Sequence, residues 1–310
     1  MVRVSQLYYR MHLSQEQIGE RLQLSRFQVG RLLDRALREE IVRIEVVHPD
    51  ARLIDLEDAL IERFGLRAAV VVDVPITSSD QAAQELAREE VAGAAARYLA
   101  ELRPAGSIGV SWGRTMLELA RVLEPGWTAA TEIVQLNGAT SRSAQPTRAN
   151  EIAERFGTTT GASIRLLAAP AIVGNRELRV ALEADSAVGE ALNAARATSV
   201  AVFGLGVLTP ESVLVGSGYL TDKELAGLRD AGAVGDVIGR FLRADGTVAS
   251  PEIDDRTVGL PIFDLTAKEV SIGLAAGAGR GPIALAALHA KCVNVLVTDA
   301  GTAEWVLARG

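Results

Sequence analysis

Hydrophobic positions recur at two spacings along this 310-residue chain: every three to four residues near its start, and in short unbroken runs from Leu66 onward. In LSQEQIGERLQLSRFQVGRLLDRALREE the first spacing defines two helices. Ile18 and Leu22 lie one turn apart on the shorter helix, and Val29, Leu32, Leu33, Ala36 and Leu37 form a complete apolar stripe on the longer one. Each helix begins with the same device. Ser14 with Gln17, and Ser25 with Gln28, fit the S-x-x-Q capping box, in which hydroxyl and amide satisfy backbone donors that a helix start leaves unpaired. Only Gln23 and Leu24 separate the two helices, so they must cross steeply, with VSQLYYRM as a preceding helix that closes a small core. This is helix-turn-helix geometry. Alternation in IVRIEVVHP then predicts a strand or wing ended by Pro49. Leu53, Leu56, Leu60 and Ile61 share one side of a further helix, a connector that also offers a surface for dimerisation.

Beyond Leu66, apolar runs (AAVVVDV, SIGVS, EIVQLNG, IRLLAAPAIV, TSVAVFGLG, VSIGLAAG, VNVLVTD) alternate with amphipathic stretches such as DQAAQELAREEVAGAAARYLAEL and RTMLELARVL. That alternation predicts a parallel sheet with helices on both faces. Ligands on such sheets bind at the carboxyl ends of the strands. Here those ends carry WGRT, NGAT, GLG, AGAGRG and TDAGT, all glycine-rich or polar.

Charge adds a division that hydropathy alone does not reveal. Residues 1–38 hold seven arginines against three carboxylates, a net +4, whereas the whole chain carries −7, which leaves −11 for the remainder. A basic module joined to an acidic body is expected where one end alone meets a polyanion. With 48% hydrophobic residues the chain can bury a large core. It has no apolar run of about eighteen residues, and its start is too polar for a secretory signal, so neither a membrane span nor export is expected. Its one cysteine, Cys292, sits in an apolar stretch and reads as a buried, inert thiol.

The face of the second helix opposite its stripe carries Phe27, Arg31, Arg35 and Arg38, with Gln28 at its edge. Arg26, Phe27, Gln28 and Arg31 are the candidates for base edges: arginine pairs with guanine, glutamine with adenine, and an exposed aromatic packs on a thymine methyl. Ser14, Gln15 and Ser25, at helix starts, suit phosphate contacts. A helical hairpin that packs on another protein is the alternative. In SIGVSWGRTMLELA, Gly113 permits close backbone approach, Arg114 supplies a fork of donors and Thr115 a hydroxyl, which together make an anion cradle at a helix start; a simple tight turn has the same outline. FGLGVL lacks the third glycine and the spaced acid of a dinucleotide site. Catalytic groups are scarce. His12, His48 and His289 are scattered, and Lys223, Lys268 and Lys291 lie outside the glycine-rich loops, so no catalytic triad, metal cluster, cofactor or Schiff base is expected. Asp236 and Asp299 could bond a sugar hydroxyl, move a proton or cap a helix.

Taken together, YYRMHLSQEQIGERLQLSRFQVGRLLDRALREEIVRIEV, GVSWGRTMLELA, VQLNG with ANEIA, GAVGDVIGRFLRADG, VSIGLAAGAGRGPIALAAL and VNVLVTDAGTA resemble, in order and over nearly the whole chain, the SorC family of sugar-responsive bacterial transcription regulators. The resemblance implies an α/β protein with a small N-terminal helix-turn-helix domain, 1–52, and a large parallel-sheet α/β effector and oligomerisation domain, 53–310, similar in fold to sugar-phosphate isomerases and CoA transferases. It also implies an effector site of Trp112, Gly113, Arg114, Thr115, Asn137, Gly138, Asn150, Asp236 and Arg280. Two positions depart from the family. Arg280 stands where many members carry lysine, and Gly30 stands where serine is common, at about 1 kcal/mol of helix propensity. The implied function is a cytoplasmic, non-enzymatic regulator, a homodimer or tetramer, that binds operator DNA under control of a sugar, sugar alcohol or sugar phosphate. The rival is a sugar-phosphate isomerase-like enzyme fused to a DNA-binding head.

Overall fold

A computed structural model describes residues 1–11, 13–38, 41–42, 53–74, 80–140 and 147–310, without the side chains of Arg10, Leu37 and Arg38. Most of the expected wing, 41–46, and both His12 and His48 lie outside the described residues. The chain divides into two compact units, Met1–Pro49 and Asp50–Gly310.

In the first unit α1 (Val2–Ser5) runs into a π-helical turn, Gln6–Arg10, followed by α2 (Gln15–Leu22) and α3 (Arg26–Arg38). Both capping boxes form. Ser14 Oγ accepts from the Gln17 amide at 3.2 Å while Gln17 Oε1 accepts from the Ser14 amide at 2.9 Å, and Ser25 and Gln28 repeat the pair at 3.2 and 2.8 Å. Between the helices Gln23 is left-handed, with φ 56°, and the chain turns so tightly that a Cβ on Gly19 would stand 2.6 Å from the Leu24 carbonyl oxygen. Val4, Leu7, Ile18, Val29 and Leu33 make the core, so the apolar stripe of α3 faces inward as its spacing requires.

In the second unit α4 (Ile54–Phe64) precedes β1 (Ala68–Val72), α5 (Asp80–Leu102), β2 (Ala105–Val110), α6 (Arg114–Val122), β3 (Ala129–Gln135), α7 (Ala149–Thr160) and β4 (Ser163–Arg165). Then come α8 (Arg176–Ala184), α9 (Ser186–Ala197), β5 (Val200–Val207), α10 (Val213–Gly216), α11 (Asp222–Asp230), β6 (Ala233–Val237) and β7 (Arg240–Arg243). The unit ends with α12 (Pro251–Asp254), α13 (Ile262–Thr266), β8 (Val270–Ala275), α14 (Gly281–His289), β9 (Val295–Asp299) and α15 (Ala300–Leu307). Seven strands form a parallel sheet in the order β1-β9-β8-β5-β2-β3-β4, and β6 with β7 makes an antiparallel hairpin on the end of β5. Successive strand residues face opposite sides. Val70 and Val72 join the core cluster beneath α5 and α6, whereas Ala69 and Val71 join the one beneath α4, α14 and α15. Both faces are therefore covered, which explains the continuous apolar runs.

One expectation is corrected. Of IRLLAAPAIV only the first two residues belong to a strand; Pro170 interrupts the run, and its main chain instead bonds two loops, through Ala139 to Ala169 and Val258 to Ala171. The stretch after Gly232 forms a hairpin, β6 with β7. The apolar side of α4 packs on its own unit: Leu60 is fully buried, and Leu53, Leu56 and Ile61, partly buried, pack against the same cluster. Glu57 of α4 is buried too, its carboxylate accepting the Val71 amide of edge strand β1 at 2.9 Å.

Because each capping hydroxyl satisfies a helix-start amide, Ser25→Ala is expected to cost about 1 kcal/mol locally, or about fivefold faster hydrogen exchange along α3. Sheet amides of the second unit should be unaffected, and equal exchange in the two proteins would show that the box adds nothing.

Candidate functional site

Of the residues proposed from sequence to face DNA, Ser14, Ser25, Arg26, Phe27, Gln28 and Arg31 are exposed, and Gln15 is half-buried beside the α2–α3 crossing. Phe27 is 84% exposed, which a core role would not tolerate. The capping geometry sharpens the role of Gln28. Its Oε1 already accepts from the Ser25 amide, which leaves one lone pair and the NH2 donors for a base while the box holds. Gly30 lies at the crossing, where a Cβ would stand 3.4 Å from Gln15 Oε1, and so does not belong to the exposed face.

In the second unit the chain order β2, β3, β4 runs to one side of the sheet, and β5, β8, β9 runs back to the other. The crevice at the reversal, between the carboxyl ends of β2 and β5, is where such a sheet takes a ligand. A cleft enclosing about 690 Å³, open mouth included, lies there. It is lined by Trp112, Gly113, Arg114, Thr115, Asn137, Asp236 and Arg280 from the sequence-derived set, and by Thr209, Glu211, Ser212 and Ile238, which sequence reasoning missed. The polar run TPES directly after β5 was the available signal for the first three of these.

Each wall has a local cause. Gly113 has φ +142°, accessible to glycine alone, and lets the chain turn from β2 into α6. Trp112 Nε1 donates to the Gly138 carbonyl at 3.0 Å, which anchors the indole. Gly138 itself is a backbone support rather than a lining residue, since a Cβ there would overlap the Pro170 carbonyl. Asn150 is exposed near the start of α7 and does not line the cleft. Asn137 is buried, and its Oδ1 has no hydrogen-bond partner among the described residues.

Asp236 reaches the cleft because β5 outruns the parallel sheet. Its first five residues pair with β8, and Leu205, Gly206 and Val207 pair with β6. Gly206 lies opposite Asp236, where a Cβ would overlap the carboxylate. The hairpin turns through Ile238 and Gly239, at φ 48° and 86°. A β-branched residue in the left-handed region is strained, and the strain is held by the Gly239 amide donating to Asp236 Oδ2 at 3.0 Å. Arg240 follows, buried, binding Asp254 Oδ1 at 2.7 Å and the carbonyls of Leu260 and Gly259 at 2.7 and 3.0 Å. Gly259 in turn bridges to Asn137, so one guanidinium ties the Asp236 wall to the Asn137 wall.

Burial pushes the Asp236 carboxyl up to about 6, against the pull of the Gly239 amide and the Arg280 charge. Arg280 is lowered to about 10, chiefly by burial, and its Nε has no partner among the described residues while Nη1 donates to the Leu205 carbonyl. Other groups weighed for chemistry lie elsewhere. Asp299 caps α15 through the Thr302 amide at 2.9 Å, Lys268 Nζ donates to the carbonyls of Ala195, Arg196 and Thr198, and His289 Nδ1 meets the Ala244 carbonyl at 2.8 Å. Cys292 is buried and pushed up to about 12 by desolvation. Among the described residues no cluster of His, Cys, Asp and Glu could hold a metal ion, and no helix is long and apolar enough to cross a membrane.

A sequence family described as "Putative sugar-binding domain" matches residues 48–308. The chain is similar to the deoxyribonucleoside regulator of Bacillus subtilis, at 34% identity over 98% of this chain and 95% of that protein. It is also similar to the transcriptional regulator LsrR of Klebsiella pneumoniae, at 30% identity over 99% of this chain and 92% of the relative. The crystal structure of the full-length sorbitol operon regulator SorC from Klebsiella pneumoniae superposes with a TM-score of 0.70, at 25% identity, over 99% of this chain and 97% of that one.

The raised Asp236 carboxyl predicts a pH signature. The folded protein retains a proton that the unfolded chain, with a carboxyl near 3.8, has lost, so stability falls as pH rises from about 4 through about 6. Asp236→Asn should remove this component and leave a variant more stable than the parent above about pH 7. Melting curves of the two proteins that run parallel across that range would rule out a buried, proton-binding Asp236.

Proposed function

The chain belongs to the SorC family of sugar-binding bacterial transcriptional regulators, and on that premise we propose that its second unit binds a sugar, sugar alcohol or sugar phosphate in the strand-end cleft, which changes the affinity of its first unit for operator DNA. The observation that carries this reading is convergence. Seven residues from four separate stretches, Trp112 to Thr115, Asn137, Asp236 and Arg280, line one cleft at the reversal point of the sheet. Their chemistry suits a polyol. Among the described residues Asn137 Oδ1 is a buried acceptor without a donor and Arg280 Nε a buried donor without an acceptor, and such groups favour a ligand that supplies the missing partners. Trp112 offers an apolar surface to ring C–H groups, Asp236 accepts a hydroxyl, and Arg114 and Thr115 at the start of α6 hold a hydroxyl or phosphate.

In the first unit we assign base contacts to Arg26, Phe27, Gln28 and Arg31 and phosphate contacts to Ser14, Gln15 and Ser25. Their exposure beside a capped helix pair, and the +4 charge of residues 1–38, support this. A two-fold operator then calls for a dimer or tetramer in the cytoplasm. The effector acts by population shift, since a ligand that bound every arrangement equally would leave operator affinity unchanged. The isomerase alternative finds little support: none of the three lysines lines the cleft, and the relatives are named as transcriptional regulators.

Operator binding should weaken with rising salt, and Arg31→Ala should reduce it by at least about tenfold; unchanged binding in that variant removes the DNA face assigned to α3. In a thermal-shift screen of sugars, sugar alcohols and their phosphates, the stabilising ligand should lose its effect on Thr115→Ala and Arg280→Ala. A ligand response identical in both variants would place the effector elsewhere, and turnover of pentose or hexose phosphates would decide for the enzyme.

A further inference from the structure

Next to the cleft, sharing Arg114, Glu211 and Arg280 with it, lies a second and wider chamber whose remaining charged lining is Glu85, Arg88 and Arg229. Of the other described arginines in this unit, ten, from Arg67 to Arg256, sit in ion pairs. Among the described residues the four arginines of the chamber make none. Arg114, Arg229 and Arg280 are instead tied to main-chain carbonyls, those of Glu211, Leu208 and Leu205. A carbonyl fixes a guanidinium in place without cancelling its charge. Arg88, half-buried on α5, makes no hydrogen bond or ion pair among the described residues. The Glu85 carboxylate accepts from Gln81 within its own helix.

At Arg280, which burial lowers, the attraction of Asp236 and Asp299 is opposed by repulsion from Arg88 and Arg114. Four cations, three of them held by carbonyls, against two carboxylates in the lining, in a body that carries −11 beyond residue 38, is an arrangement that an incoming anion stabilises. Planar guanidinium forks match the tetrahedral oxygens of a phosphate, and a group with two negative charges neutralises more than one of them.

We propose that this outer chamber is an oxyanion subsite, in which Arg88 and Arg229, with Arg280 at its border with the inner cleft, hold a phosphate-type group. It meets the Trp112–Thr115 loop at Arg114 alone, and it rests on the effector reading above only in placing a sugar next to it. The oxyanion is either the distal ester of a phosphorylated effector or a free phosphate bound beside a neutral sugar.

The test uses the full chain and inorganic phosphate, with ionic strength balanced by chloride. Phosphate should raise the melting temperature where chloride does not, and Arg88→Met and Arg229→Met should each weaken the apparent phosphate affinity at least tenfold, Arg88→Lys by less. Arg229 is exposed, so its variant stands as an independent arm should Arg88→Met fold poorly. A sugar phosphate that outperforms an equimolar mixture of sugar and phosphate assigns the group to the effector; equal potency assigns free phosphate. The proposal is overturned if neither phosphate nor any sugar phosphate stabilises the parent protein, or if both methionine variants respond as the parent does. If no sugar binds while phosphate binds in an Arg88-dependent way, the effector reading fails and the subsite stands.

Discussion

Everything at the cleft depends on one strand belonging to two sheets. β5 pairs in parallel with β8 through Gly204 and then, without a break, in antiparallel with β6 from Leu205. A strand confined to the parallel sheet would end at the floor of the crevice and leave it open on one side. By continuing, β5 raises a hairpin as a wall and carries Asp236 to the cleft. The requirement that makes this possible is small and local: no side chain at Gly206, directly opposite the carboxylate. The hairpin turn then stores strain at Ile238, and Arg240 anchors the wall to the loop that carries Asn137. Cleft shape is thus set by backbone pairing, and the polar side chains act on a frame already in place.

How much of this could be read from sequence follows the range of the interactions. The helix-turn-helix was legible to the residue, because a capping box spans three positions and an apolar stripe spans one helix; Ser25, Gln28, Val29 and Leu33 all do what their spacing requires. The parallel strands were legible because burial on both faces leaves unbroken apolar runs. The same rule misled at IRLLAAPAIV, which is buried and apolar yet bonds to loops around residues 139 and 258 rather than to a neighbouring strand, a long-range choice that hydropathy does not encode. The hairpin escaped notice because its turn is Ile-Gly instead of the Asn-Gly or Asp-Gly that marks most two-residue hairpins.

Resemblance supplied what local pattern could not. Asp236 and Arg280 carry no motif by themselves, and the cleft unites them with Trp112 and Asn137 across more than a hundred residues of chain. It was less exact at the edges of the site. Gly138 turned out to support the Trp112 indole through its carbonyl, and Asn150 stands outside on a helix surface. Arg88 was found by neither route, since one arginine on a long helix looks like any solvated charge until the sheet brings three others to the same chamber.

The pairing of β1 with β9 has a further consequence, for the order in which the protein assembles. Residues 68–72 find their partner only at 295–299, so the sheet of the second unit cannot close on a ribosome until almost the whole chain has emerged. The first unit, whose core contacts all lie within its own few dozen residues, has no such delay. During synthesis a chain of this design therefore completes its basic head well before it has a sensor, and a pairing that spans more than two hundred residues determines when the nascent regulator first becomes responsive.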